Sequence, residues 1–91
     1  MNEEQFQANV IEMSKYMGYL HYHTHRSDRS VAGFPDLVLV GRNRILFREI
    51  KTEKGQLSAA QLTWGGALIA GGGDWEVWRP SDIELVQEQL T

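Results

Sequence analysis

Apolar residues recur at helical spacing near the start of the chain. Phe6, Val10, Met13 and Met17 form one stripe, with Asn2 placed to cap the helix and Gly18 to end it. The period then drops to two. "YLHYHTH" reads as a strand, and "DLVLV" and "RILFREIK" alternate as the two arms of a hairpin. Ser58 opens a second helix carrying Leu57, Trp64 and Leu68 on one side, and "GGG" at 71 to 73 stops it. "DWEVWR" predicts a fourth strand, and Pro80-Ser81 begins a last helix with Ser81 and Glu84 spaced as a capping box. The order is helix, three strands, helix, strand, helix. A strand, helix, strand passage over residues 44 to 79 implies a parallel crossover, so the expected fold is α/β with a mixed four-stranded sheet flanked by helices.

Register in the hairpin decides where its charges fall. If Arg42-Asn43 is a two-residue turn between Gly41 and Arg44, then Val40 faces Ile45, Val38 faces Phe47 and Asp36 faces Glu49. Shifting either strand by one residue would separate these apolar pairs onto opposite faces, so the pattern favours this register. It also sets two carboxylates opposite each other at one end of the face, with Lys51 two residues beyond Glu49. Unpaired, they would repel. A hard divalent cation with oxygen ligands at about 2.0–2.1 Å would neutralise them; a solvated cluster of Asp, Glu and Lys at a hairpin end has the same spacing.

Other polar residues interrupt apolar stripes. Gln61 sits among Leu57, Trp64 and Leu68, either aimed at the sheet near the carboxylates or folded back as the fourth residue of a Ser58 capping box. Glu3 lies three before Phe6, on the side that packs on the sheet, although an acid in a first turn also suits the helix dipole. His21, His23 and His25 alternate and project from one strand face, which suits a polar or phosphate-facing surface better than a converging metal site. Gly65-Gly66 costs about 1 kcal/mol per residue relative to alanine inside a helix, which points to a close backbone approach to the sheet or to a second subunit. "GGALIAGGG" lacks the lysine and hydroxyl of a phosphate-binding loop.

Ninety-one residues, 1 to 91, suffice for a single small domain. With no cysteine, disulfides and thiolate metal sites are excluded. "MNEEQFQANV" has no apolar leader core and no stretch approaches a membrane span, so a soluble, cytoplasmic protein is expected. The net charge of −3 argues against a nonspecific polyanion coat, but its distribution is uneven. Arg26, Arg29, Arg42, Arg44, Arg48, Lys51 and Lys54 outnumber the acids between 26 and 54. The five arginines and Lys54 are candidates for phosphate contacts.

"GFPDLVLV", then "REIKT", then "GQLSAAQLTW" resembles the VRR-NUC nuclease domain, a branch of the PD-(D/E)XK phosphodiesterase superfamily. The likeness spans nearly the whole chain, and the element order is similar to that superfamily's restriction-endonuclease-like core, αβββαβ with a final helix. The resemblance implies that Asp36 and Glu49 bind catalytic Mg2+ or Mn2+ with the Ile50 carbonyl, that Lys51 is the catalytic lysine and Gln61 the motif glutamine. Glu3, in "EEQFQ", looks like the acidic residue of the family's first helix. The histidine-rich strand matches nothing in the pattern. Hydrolysis would leave a 5′ phosphate and a 3′ hydroxyl. Stand-alone domains of this kind resemble phage and bacterial enzymes that act as homodimers on four-way DNA junctions. Two other functions fit a chain of this pattern: a noncatalytic nucleic-acid-binding or assembly module, and a nuclease that acts on other DNA structures only with partner proteins.

Overall fold

The structure is a computed structural model that describes residues 1–25 and 31–91. Helix α1 spans Glu3–Tyr16, and Asn2 caps it reciprocally: its side chain accepts from the Gln5 amide at 2.8 Å while Gln5 Oε1 accepts from the Asn2 amide at 3.1 Å. Gly18, at φ +88°, turns the chain into β1 (Leu20–His23). Strands β2 (Leu37–Gly41) and β3 (Arg44–Ile50) form the hairpin, α2 (Ala59–Ala70) crosses over to β4 (Asp74–Trp78), and a 3-10 turn at Pro80–Asp82 leads into α3 (Ile83–Leu90). The sheet order is β1-β2-β3-β4, antiparallel except for the β3/β4 pair, so the sheet is mixed.

The hairpin register is the expected one: Val38 faces Phe47, Val40 faces Ile45 and Gly41 faces Arg44. Arg42 (φ 50°) and Asn43 (φ 62°) are both left-handed, the geometry of a type I′ turn that matches strand twist. The deepest core lies on the opposite sheet face from these pairs. There Leu37, Leu39, Leu46, Ile50 and Trp78 pack against Phe6 and Val10 of α1 and Val86 and Leu90 of α3. The Val38/Phe47 face is covered only in part: Gly65 of α2 lies against Trp75, and Phe34 stands against Phe47. Val40 and Ile45 are left 42% and 52% exposed. Gly65 makes the close approach expected of the glycine pair, since a Cβ there would lie 2.5 Å from the Trp75 ring, whereas Gly66 faces open space.

Two expectations change. Ser81 does not form a box with Glu84: its amide and hydroxyl donate to the Glu53 carboxylate at 2.5 and 2.9 Å, and Asp82 instead accepts from the Arg79 amide at 2.8 Å. Arg48 does not belong to a surface for nucleic acid. It is 1% exposed among Leu46 and Ile50, paired with Asp74 at 3.1 Å and Glu76 at 3.8 Å, with its guanidinium 4.8 Å from the Trp78 ring. Burial lowers its pKa, and the facing Asp74 and Glu76 carboxylates oppose that shift.

A candidate carboxylate site at the strand ends

The loop entering β2 is fixed by contacts on α2. Gly33 has φ +95°, and a Cβ there would lie 2.5 Å from the carbonyl carbon and oxygen of Ala60, so the loop presses directly on the first turn of α2. Phe34 stands edge-on to Trp64 at 5.1 Å and to Phe47 at 6.4 Å, and Pro35 is buried. Asp36 is thereby delivered to the open end of β3. Gly33→Ala is expected to cost about 1–3 kcal/mol from the backbone conformation alone, with the steric clash added. A melting temperature within about 2 °C of the parent, by the scaling of about 4–8 °C per kcal/mol in domains of this size, would contradict it.

Asp36 and Glu49 are laced together through the backbone. Asp36 Oδ2 accepts from the Ile50 amide at 2.8 Å, and the Asp36 amide donates to Glu49 Oε2 at 3.3 Å. The other Glu49 oxygen accepts from Gln61 Nε2 at 2.5 Å. Gln61 meets both sequence readings at once, because its Oε1 also accepts from the Ser58 amide at 2.8 Å and completes the helix cap. The capping box therefore aims the amide nitrogen at the sheet.

Glu49 is 1% exposed, and its pKa is pushed up to about 8, first by burial and then by the neighbouring Asp36 carboxylate, with Lys51 acting the other way. A carboxyl raised in the folded state binds a proton that the unfolded chain has released, so its contribution to stability is complete below the unfolded value near 4.5 and is lost as pH rises toward 8. In chelator the protein is expected to melt several degrees lower at pH 8 than at pH 5.5, with the slope flattened in Glu49→Gln. A melting temperature that rises across this window in both proteins would overturn the assignment.

Lys51 follows on the same face, half-buried, with its amide bonded to the Trp78 carbonyl at 3.1 Å. The loop after it is clamped by Arg79, whose guanidinium donates to the Thr52 carbonyl at 2.6 Å and the Gly55 carbonyl at 2.8 Å. Sequence reasoning missed Arg79, because its partners lie far back in the chain. Lys54 is exposed on that loop. Arg42 and Arg44 lie at the other end of the hairpin, about 20 Å from Asp36 by strand rise. Arg42 bonds the carbonyls of Met17 and Thr91 at 3.2 and 3.0 Å, and Arg44 bonds the Tyr19 hydroxyl and the Gln89 carbonyl. Arg26 and Arg29 lie outside the described residues.

Glu3 borders a cleft of about 490 Å³ that also takes in Asp36, His23 and His25. Among the described residues no group of three His, Asp or Glu side chains converges as a cation cage. His21 stays exposed on β1. The donor set still suits a hard divalent ion, which takes one or two carboxylates and keeps other positions for water and substrate phosphate. The raised Glu49 is the pointed observation, since a cation would replace its proton. Neither a family model nor a curated protein matches the chain.

Proposed function

We propose that the chain is a divalent-metal-dependent DNA endonuclease of the VRR-NUC type, built on a restriction-endonuclease-like core. The observation that carries this reading is Glu49: a buried carboxylate with a raised pKa, locked by Gln61 and by the Asp36 amide beside a second carboxylate at an open strand end. Strongly perturbed groups of this kind gather at functional sites. The element order and the mixed sheet are compatible with that core.

Asp36 and Glu49, with the Ile50 carbonyl, would hold Mg2+ or Mn2+. When bound, such an ion polarises a nonbridging phosphoryl oxygen and acidifies the attacking water. Gln61 fixes the rotation of the Glu49 carboxylate, and the Ile50 amide does the same for Asp36. An ammonium group has no lone pair to give a cation, so the role of Lys51 is to orient the water or to steady the negative charge on the phosphoryl oxygens in the transition state. The water oxygen bonds to phosphorus, the P–O3′ bond breaks, and a 5′ phosphate and a 3′ hydroxyl remain. A homodimer acting on four-way junctions completes the proposal.

The test is cleavage by purified protein with Mg2+ or Mn2+ on labelled four-way junction, flap, duplex and single-stranded DNA. Junction cleavage that stops in chelator is expected. Lys51→Ala is expected to abolish turnover while calorimetry still detects the cation. Failure to cut any of the four DNAs with either metal would overturn the reading.

A further inference from the structure

The histidines that match no family pattern border the cleft beside Asp36. We propose that His25 contacts a phosphate of the DNA strand passing Asp36, and that Gln7 and His23 brace it there; the inference rests on the nuclease reading above. The cleft presents three carboxylates, Glu3, Glu4 and Asp36, and none of the described residues lining it is lysine or arginine. A polyanion entering it needs hydrogen-bond donors, and among the donor side chains of the lining His25 is the exposed one, Gln7, His23 and Thr24 being half-buried and bonded to their neighbours. The Thr24 hydroxyl donates to the Pro35 carbonyl at 2.8 Å. The Gln7 amide nitrogen lies 2.9 Å from His23 Nε2. That nitrogen carries only hydrogens, so His23 Nε2 is the acceptor and the His23 proton sits on Nδ1.

His23 is thus held from α1, and its ring lies 4.8 Å from that of His25 at a 37° tilt. One ring limits the swing of the other. His25 is exposed, just past the end of β1, and Thr24 between the two is tied to Asp36 by its amide, which donates to the Asp36 carbonyl at 2.9 Å. The brace, the donor and the carboxylate site are therefore linked through one short segment. Neutral imidazole offers one N–H and the charged form two, so the contact forms in either state.

The experiment is steady-state cleavage of a labelled four-way junction in Mg2+ by the parent and by His25→Ala, His25→Gln and Gln7→Ala, together with fluorescence anisotropy of the same junction in chelator. His25→Ala is expected to raise KM about tenfold, as loss of one hydrogen bond to a charged group does, with kcat changed less than about threefold. His25→Gln restores most of it through its amide N–H, and Gln7→Ala gives a smaller rise. A fall in kcat at constant KM, or a His25→Gln as poor as His25→Ala, would overturn the contact. If the parent cuts nothing, the nuclease reading fails alone. Anisotropy still decides the contact, since several-fold weaker binding by His25→Ala supports it and equal binding refutes it.

Discussion

Replacing Asp36 with asparagine or Glu49 with glutamine is expected to lower cleavage by about a thousandfold or more while the fold persists. Both substitutions keep shape and remove charge. Asp36→Asn retains a side-chain carbonyl oxygen for the Ile50 amide and Glu49→Gln retains one for Gln61 Nε2, so the bonds at 2.8 and 2.5 Å have acceptors in the variants, while the longer bond from the Asp36 amide at 3.3 Å loses its acceptor in Glu49→Gln. The cation loses a negative ligand in each case. Glu49→Gln should also do something a merely structural carboxylate would not: it relieves the burial cost of a charge at 1% exposure, so the chelated variant melts above the parent at pH 8. Activity falls as stability rises. Single-turnover cleavage and melting on the same preparations read the two together. A Glu49→Gln enzyme that keeps a tenth of the parent rate would remove this carboxylate from the chemistry.

The facing of Asp36 and Glu49 was legible because period-two alternation and a two-residue turn leave one register that keeps Val38 with Phe47 and Val40 with Ile45. The turn itself was less so. Arg42 holds a left-handed conformation without being glycine, and the compensating bonds run to Met17 and Thr91, partners that only the folded chain brings near. Spacing leaves Gln61 between two readings because a capping box and a sheet contact draw on different atoms of one amide, and spacing cannot separate an oxygen from a nitrogen. No local pattern assigns the histidine face a carboxylate partner. Its alternation ends with β1 at His23, and the acids that border it come from the first turn of α1 and from Asp36, which no local pattern connects.

Arg48 was the residue most misread, and its replacement carries the largest expected effect on stability. A charged residue between Phe47 and Glu49 looks like an exposed strand position. Its face, however, is that of Leu46 and Ile50, and the parallel register sets it opposite Glu76, with Asp74 and Trp78 to either side. There the guanidinium donates to the Asp74 carbonyl at 2.6 Å and the Phe47 carbonyl at 3.0 Å besides its ion pairs. Arg48→Ala removes these bonds and leaves a cavity beneath Trp78, at a cost of about 2–4 kcal/mol. The orphaned carboxylates moderate that figure, because the Asp74 and Glu76 side chains are 51% and 46% exposed and are rehydrated rather than stranded. Arg48→Met fills most of the volume without charge and should stay within about 1.5 kcal/mol of the parent. Melting should therefore drop sharply for alanine and little for methionine, while junction binding measured well below both transitions is unchanged. Lys54→Ala should show the converse, weaker binding and a shallower salt dependence with no loss of stability. Parent-like melting of Arg48→Ala combined with weakened binding would return Arg48 to the DNA surface.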